Sequence, residues 1–302
     1  MTDPRRTTTW TAFCLPLAAA MIWAVNMVVT KMSVSVISPS SIAFYRWVLA
    51  AVLLTPFVAR GVWRARRAIA AQFWRLAVLG GLGMALYQGM AYVAARSTTA
   101  TNLGIITSLV PAMTIGVNVV LTRTLPRATA VVGGLLSLFG LAVLLGHGDP
   151  RNLLEIGIGT GDGLMMIASL AYALYTVLIR KWAMPIDPWH SLYVQILIGV
   201  LLQLPTFLAT EPSPLTARNV PLVLYAALLP SLLAPYMWME SLRRLGADRT
   251  SLFLNLVPIG TALIAAALLG EQLHLYHLTG GGVAIAGVAL AQWNGRAFRR
   301  VR

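Results

Sequence analysis

The sequence predicts an all-α membrane protein with ten transmembrane helices, arranged as two inverted five-helix repeats around a central cavity. Three observations predict this class. Hydrophobic residues make up 58% of the 302 residues and charged residues only 11%, whereas soluble domains carry about 25% charged residues. The basic residues are concentrated on one side of the predicted spans, and the second half of the chain repeats the first.

Ten apolar blocks supply the predicted spans, because about 20 residues of α-helix cross the roughly 30 Å of hydrocarbon in a bilayer. The single cysteine, Cys14, lies in the first block and excludes an intrachain disulfide. The blocks cover residues 12–31, 42–60, 74–95, 101–122, 128–146, 162–179, 191–209, 220–241, 249–269 and 278–294.

The distribution of basic residues explains the formal net charge of +14 without a nucleic-acid partner. With the N terminus in the cytoplasm, 18 of the 23 Lys and Arg residues fall in cytoplasmic segments, and Arg46 lies within a span. This bias follows the positive-inside rule. It predicts a multi-pass protein in a lipid bilayer with both termini cytoplasmic. The four basic residues on the outer side are Lys31, Arg96, Arg151 and Arg218.

The second half of the chain repeats the first. At an offset of 149 residues Lys31 matches Arg180, and at an offset of 147 the Leu-Val-Pro ending at Pro111 matches the one ending at Pro258. Five spans per half force the second half to enter the membrane upside down, and inverted repeats place a solute site near the midplane. The predicted repeats are residues 12–146 and 162–294.

Helices are weakened at matching places in the two halves. Pro111 and Pro258 lie midway along the fourth and ninth spans, where a proline costs an α-helix about 3 kcal/mol. We interpret them as hinges beside a hydrated cavity, with a tolerated kink as the alternative. The third span is glycine-rich over residues 80–92, and the eighth carries Pro230 and Pro235. These segments are further hinge candidates, although glycine also permits close helix packing.

Polar and aromatic side chains within the predicted spans are candidates for solute binding. Rings bind by stacking and cation–π attraction, while amides and hydroxyls fix orientation. Helix packing is the alternative for the aromatic members, and tryptophans near span ends, such as Trp47, are interpreted as interface anchors. The candidates are Trp23, Asn26, Tyr87, Gln88, Tyr92, Asn102, Ser108, Asn118, Tyr172, Tyr175, Tyr236, Trp238 and Asn255.

Arg46 completes this set as the basic residue inside a span. It either reaches outward to the membrane surface or anchors a carboxylate. None of the nine acidic residues lies in the central part of a span, so we expect no obligatory proton coupling. The sequence offers no catalytic constellation and no metal-ligand pattern, which predicts a protein that is not an enzyme and has no metal or cofactor.

The chain resembles the EamA family of the drug/metabolite transporter superfamily. The resemblance rests on ten predicted spans in two halves and on Leu-Val-Pro in each fourth span. The strongest match is LNLVPIGTALIAAALLGEQL, residues 254–273, and YRWVLAAVLL, residues 45–54, suits the family's second span. The first half departs from the pattern, because Arg123 and Thr124 occupy its Gly-Glu positions.

This resemblance implies a bacterial inner-membrane transporter that exports a small solute by alternating access. Within the family the chain is most similar to exporters of aromatic and other neutral amino acids, which implies that class of substrate. An exporter of cationic amphiphiles or of another metabolite is the alternative. A channel would show pore-lining repeats or charged rings. We expect a monomer without a cofactor.

Overall fold

The computed structural model describes residues 4–123, 126–153, 157–245, 250 and 252–292. Within these ranges every regular element is a helix, which confirms the all-α prediction. Thr124 and the last two residues of the second predicted repeat lie outside them. In chain order the long helices are α1 (Pro4–Ser33), α2 (Pro39–Arg64), α3 (Phe73–Ala94), α4 (Ala100–Ser108 continued by Val110–Thr122), α5 (Ala128–Leu145), α6 (Thr160–Trp182), α7 (Pro188–Ala209), α8 (Val220–Leu245), α9 (Phe253–Leu269) and α10 (Leu275–Gln292).

Eight of the described helices, α1 to α8, are long and apolar enough to cross a membrane. Helix α9 is apolar but shorter, and α10 has 18 residues, three of them consecutive glycines. The protein is therefore a multi-pass membrane protein. Its count of ten transmembrane helices stays a prediction.

Helices α2 and α7 begin in the same way, one in each half of the chain. Pro39 and Pro188 occupy the first turns, where the missing N–H costs no hydrogen bond. Ser38 caps α2 by accepting from the Ser41 N–H, and Asp187 caps α7 by accepting from two N–H groups. Matching caps start both helices at equivalent residues of the sequence repeat.

Helices of the first half pack against helices of the second half. Helix α1 packs against α8 and α9, and α6 packs against α3 and α4. Helix α2 packs against α7, and α5 lies along α10. These contacts across the halves are repeated by the helices five positions later in the chain.

Glycines bring α5 and α10 into backbone contact. A Cβ added at Gly140 would lie 2.6 Å from the Gly280 oxygen, and one added at Gly133 would lie 2.5 Å from the Gly287 oxygen. Small residues give helices in a bilayer this close approach, since lipid supplies no hydrophobic force between them. These glycines therefore serve the close packing of α5 on α10.

We expect the substitution Gly140→Ala to destabilise this interface. The added methyl group meets the backbone of α10 and must push the helices apart, at a cost of about 1–3 kcal/mol. Thermal unfolding in detergent should show a melting temperature several degrees lower. Gly134→Ala is the matched control, because nothing lies within 4 Å of its added Cβ. Equal melting temperatures for the two variants would contradict the packing role.

Candidate functional site

The bundle has two ends, which we name after their basic residues. The Lys31 face carries the end of α1 and the start of α6, and contains Lys31, Asp162 and Glu271. The Arg180 face lies at the other end of α6 and includes Arg127 and Arg180. The candidate site lies between these faces.

Both segments that the sequence marks as weak leave the regular α-helix. Residues Gly80–Tyr87 of α3 and Leu229–Leu233 of α8 are π-helical. Near the second segment, the Ala234 N–H donates to the Leu229 oxygen five residues earlier. Such wide turns are frequent at functional sites, because they leave backbone carbonyls that need other donors.

Side chains from other helices supply those donors. The Met84 oxygen, in the π-helical part of α3, accepts from Trp47 Nε1 at 2.9 Å and from Gln203 Nε2 at 2.8 Å. Trp47 is only 4% exposed, so its interpretation as an interface anchor is wrong. Its indole is held inside the bundle by this hydrogen bond, which fixes α3 between α2 and α7.

Arg46 lies on α2 and bridges α3 and α8, the two helices with π-helical segments. Its Nε donates to Ser231 Oγ at 2.7 Å. Its Nη1 donates to Gln88 Oε1 at 2.8 Å and to Tyr92 OH at 3.4 Å. The guanidinium carbon also lies 4.9 Å from the centre of the Trp47 ring. The charge is thus held by neutral partners and an aromatic face.

Burial makes this arginine unusual. It is 2% exposed, so the alternative in which Arg46 reaches the membrane surface is wrong. No carboxylate pairs with it among the described residues, and its Nη2 donates no hydrogen bond there. A guanidinium stays charged at any physiological pH, and a buried charge normally requires an opposite one. Arg46 therefore offers an unneutralised positive charge inside the bundle.

A tryptophan pair lies between α1 and α8. The Trp23 and Trp238 rings are 5.3 Å apart, centre to centre, at an interplanar angle of 59°. Trp23 Nε1 donates to the Pro230 oxygen at 3.4 Å. Because Pro230 precedes Ser231, this hydrogen bond connects the tryptophan pair to the segment of α8 that accepts from Arg46. Both tryptophans are half-buried.

A tyrosine cluster lies between α3 and α6. The Tyr87 and Tyr172 rings are 4.7 Å apart, and Tyr175 stacks on Tyr172 at 5.3 Å. A Cβ added at Gly83 would lie 3.0 Å from the Tyr175 ring, so this glycine makes room for the cluster. Tyr87 precedes Gln88, which accepts from Arg46.

Arg46 and the two aromatic groups form what we call the Arg46 site. The site unites side chains from five helices, of which the sequence analysis named all but Trp47 and Ser231 as candidates. Its members are Trp23, Trp238, Arg46, Trp47, Gln88, Tyr92, Ser231 and the Tyr87–Tyr172 pair, with Tyr175 stacked beside them. The arrangement groups one cation with aromatic side chains.

Asn26 lies one helical turn beyond Trp23 on α1. It is 4% exposed, and its Oδ1 has no hydrogen-bond partner among the described residues. An unpaired buried acceptor costs about 1–3 kcal/mol. This oxygen is a further polar atom available for a donor near the tryptophan pair.

Helix α4 is interrupted next to Pro111. The Leu109 N–H donates to Ile106, three residues earlier, and Ser108 Oγ bonds the Ile105 oxygen at 2.6 Å. The serine thereby satisfies the carbonyl that a regular α-helix would have paired with Leu109. Before the interruption, Ala100–Ser108 packs against both α9 and α6, and beyond it Val110–Thr122 packs mainly against α6.

Helix α9 is irregular at the equivalent place. Leu252–Asn255 form a 3₁₀ turn, and the α-helix starts at Leu256 with Pro258 in its first turn. Asn255 is the last residue of this turn and makes no hydrogen bond with a described member of the Arg46 site. Pro235 lies at the second position of the α-helical part of α8, just after the π-helical segment.

Three further candidates lie near the faces of the bundle. Asn102 is near the Lys31 face, where its Nδ2 donates to Asp162 at 3.2 Å. Asn118 lines a cavity of about 290 Å³ at the Arg180 face with Arg127 and Arg180. Tyr236 is 52% exposed and lines a second cavity of about 380 Å³ at the same face. The structure does not bring these three residues together with Arg46.

Ser231 and Gln203 were missed from the sequence. Ser231 accepts from Arg46 and donates to the Ala226 oxygen at 2.7 Å, five residues earlier. A hydroxyl next to Pro230 in a weakened helix was a usable signal for it. The sequence offers no such signal for Gln203, because its hydrogen-bond partner is the main-chain oxygen of Met84.

Comparison with known proteins places the chain among transporters. A sequence model of the EamA-like transporter family matches residues 10–146 and again 159–293. The chain is 28% identical over 275 residues to a protein of Archaeoglobus fulgidus named as an uncharacterized transporter, covering 89% of this chain and 93% of that protein.

Two further relatives are bacterial. The transporter YyaM of Bacillus subtilis is 26% identical over 269 residues, with 86% of this chain and 87% of YyaM covered. Protein PecM of Dickeya dadantii is 29% identical over 215 residues, with 68% and 69% covered. A solved crystal structure superposes with a TM-score of 0.63 at 19% identity, over 96% of this chain and 98% of that one, and this likeness supports the fold alone.

Proposed function

The chain belongs to the EamA-like transporter family, and on that premise we propose that it carries small solutes with a carboxylate and an aromatic or other neutral side chain across the membrane. Aromatic and neutral amino acids are the substrate class. The resemblance found in the sequence is confirmed at the level of the family, while the substrate is our proposal. The observation that carries it is a buried arginine without a carboxylate partner among the described residues.

The charge of Arg46 supports a carboxylate as the part of the solute that is recognised. Burying an unpaired charge is costly, and a carboxylate supplies both the opposite charge and an acceptor for the remaining N–H groups. The Nη2 group donates to no described residue, so one side of the fork is available. A bound carboxylate would neutralise the charge of Arg46.

The aromatic groups support a flat or apolar side chain on the same solute. Stacked or tilted ring pairs contribute about 0.5–1.5 kcal/mol beyond their burial. The Trp23–Trp238 pair is joined to the segment of α8 that contacts Arg46, and Tyr87 precedes the glutamine that accepts from Arg46. A solute held at its carboxylate by Arg46 would thus have aromatic side chains nearby.

Alternating access between two inverted repeats, residues 12–146 and 162–294, is the proposed mechanism. Its support is the exchange of helix contacts between the halves and the π-helical segments at equivalent places in α3 and α8. Interrupted helices at matching positions of two repeats mark transport sites. The prolines of α4 and α9 are the proposed hinges.

The proposed setting is the bacterial inner membrane, with export as the direction of transport and a monomer as the working unit. The excess of basic residues at the Arg180 side makes that face cytoplasmic and the Lys31 face external. Both termini are then cytoplasmic. No cofactor enters this proposal.

Counterflow in proteoliposomes tests the substrate class. Vesicles loaded with unlabelled tryptophan should accumulate labelled tryptophan and phenylalanine, and leucine more weakly. Tryptamine, which has the indole but no carboxylate, should not be transported. Equal transport of tryptamine and tryptophan would overturn the role of Arg46. Transport of a nucleotide sugar with none of any amino acid would overturn the substrate class.

A cationic amphiphile is the second candidate substrate, favoured by the cation–π attraction that the ring pairs offer. Arg46 opposes it, because a second positive charge in the site would be repelled. A quaternary amine offered in the same vesicles distinguishes the two candidates. Its transport without transport of tryptophan would favour the second.

We expect counterflow to proceed without a pH gradient. The acids in the described helices lie near their ends: Asp162 starts α6, and Glu240 pairs with Arg243 and Arg244 near the end of α8. No carboxylate of the described residues reaches Arg46 to exchange a proton with the solute. Counterflow rates should be equal with and without an imposed gradient, and strict dependence on the gradient would contradict this prediction.

The substitution Pro111→Ala should slow transport more than it weakens binding. Alanine restores the N–H that a continuous α4 needs, so the helix straightens and resists bending. We expect the turnover rate to fall about tenfold while the half-saturating tryptophan concentration changes less than about twofold, which corresponds to a barrier change near 1.4 kcal/mol. Pro205→Ala, inside α7, is the matched control. Unchanged turnover with lost affinity in Pro111→Ala would contradict the hinge.

A further inference from the structure

At the Lys31 face, charged side chains form a clasp on the turn between α3 and α4, residues 95–99. Lys31, at the end of α1, donates from Nζ to the Ala95 oxygen at 2.8 Å and to the Thr98 oxygen at 2.6 Å. Asp162, at the start of α6, accepts from the Thr98 hydroxyl. Two helices thus hold one turn through charged side chains.

A third charged side chain holds the start of α4 from beyond α9. Glu271 Oε1 accepts from the Ala100 N–H at 2.7 Å, and Oε2 accepts from the Thr101 N–H at 3.1 Å and from its hydroxyl at 2.7 Å. Bonds between ionised groups and backbone are among the stronger hydrogen bonds in proteins. The clasp therefore joins α1, α6 and α9 to the turn between α3 and α4.

The Arg180 face has the equivalent residue but lacks the equivalent contact. Arg180 matches Lys31 in the sequence repeat. It is exposed, lines the cavity of about 290 Å³, and donates no hydrogen bond within the described ranges. The second part of α4 also packs away from α9 at this face. The basic residue of one face thus holds a turn, while among the described residues the basic residue of the other face does not.

The sequence repeat also indicates which backbone oxygens Arg180 would bind in the other state. At the offset of 147 that relates the third and fourth spans to the eighth and ninth, Ala95 matches Leu242 and Thr98 matches Leu245. Both lie in the last turn of α8, whose terminal carbonyls have no partner within the helix. A basic side chain near a helix C terminus satisfies such carbonyls and favours the helix dipole.

We propose that Lys31 and Arg180 are paired gate residues that alternate. In the present structure Lys31 holds the Lys31 face closed; when the other state forms, Lys31 leaves the α3–α4 turn and Arg180 binds the backbone oxygens of Leu242 and Leu245. This proposal rests on the inverted repeat of the proposed function and extends it to the contacts that lock each state.

Distances between spin labels test the exchange without any solute. Cys14→Ala removes the native thiol, and cysteines replace the exposed pair Ser35 and Arg96 at the Lys31 face or Lys181 and Arg243 at the other. In the parent protein the distance between the labels at positions 35 and 96 should be short, and that between positions 181 and 243 should be long. Lys31→Met should lengthen the first and shorten the second, with at least about a tenfold change in the ratio of states.

Two variants control this experiment. Lys31→Arg keeps a cation and its donors and should retain the parent distances, whereas Arg180→Met added to Lys31→Met should prevent the second pair from shortening. If Lys31→Met does not fold, Asp162→Asn replaces it, because it weakens the same turn. Parent distances in a folded Lys31→Met or Asp162→Asn would overturn the proposal. The proposal would also be overturned if the distance between positions 181 and 243 still shortened in the double variant that lacks Arg180. Neither result depends on transport, so the proposed substrate class would stand.

Discussion

The substitution Arg46→Gln should reduce counterflow of tryptophan about 100-fold, because it removes the charge to which the carboxylate binds. Losing one partner of a buried charge pair costs about 2–5 kcal/mol. The glutamine side chain retains a hydrogen-bonding amide, so the contacts with Gln88 and Ser231 are partly replaced. The measurement is the initial rate of counterflow over a range of tryptophan concentrations.

Arg46→Lys is the matched control for this prediction. It keeps the charge but loses the planar fork, so we expect a loss of about tenfold rather than 100-fold. The ratio of tryptophan to tryptamine transport separates binding from folding, since a merely structural arginine would affect both solutes alike. Retention of a full preference for tryptophan in a folded Arg46→Gln protein would contradict the assignment.

Replacing Trp238 by leucine should remove much of the preference for aromatic solutes. The Trp238 ring lies against Trp23, and no hydrogen bond of its own is lost with it in the described structure. A ring pair contributes about 0.5–1.5 kcal/mol, so the half-saturating concentration of tryptophan should rise up to about tenfold. The value for leucine should change little, because an aliphatic side chain does not need the second ring.

Trp63→Leu controls for the loss of a tryptophan in general. Its side chain is 70% exposed and lies under the Arg66 guanidinium, far along α2 from Arg46. We expect its kinetics to match those of the parent protein. If the half-saturating concentrations of tryptophan and leucine rise equally in Trp238→Leu, the ring stabilises the fold and does not bind the solute.

Much of the fold was predictable because the bilayer leaves few alternatives. A backbone in hydrocarbon must satisfy its own hydrogen bonds, so blocks of apolar residues become helices. Helices α1 to α8 follow the predicted blocks closely. Helix α10, Leu275–Gln292, also follows its predicted block, although of its three consecutive glycines only Gly280 meets α5.

The candidate site was predictable in part, and the divide has a physical cause. Polar residues in the middle of spans are costly, so Arg46, Gln88 and the tyrosines were conspicuous in the sequence. Asn102 and Asn118 are equally polar but lie nearer the helix ends, where they meet Asp162 and an open cavity. The position of a residue along its helix distinguishes members of the Arg46 site from Asn102 and Asn118. That position is hard to predict, because the ends of spans are the least certain part of a sequence-based prediction.

Contacts to backbone oxygens were not predictable. Lys31 was counted as an external basic residue, yet it binds two carbonyls of the α3–α4 turn. Trp47 was assigned to the interface, yet it bonds the Met84 oxygen released by a π-helical segment. The acceptor in each case is a main-chain atom whose availability depends on the three-dimensional path of another helix.

Two halves of opposite orientation that enclose Arg46 are the premise of every proposal above, and chemical labelling of equivalent residues tests it most directly. Met32 and Lys181 match in the repeat and are both exposed. In the Cys14→Ala background, a cysteine at position 32 should react with an impermeant maleimide added outside intact cells. A cysteine at position 181 should react only after the membrane is opened. Reaction of both from the same side would contradict the inverted arrangement.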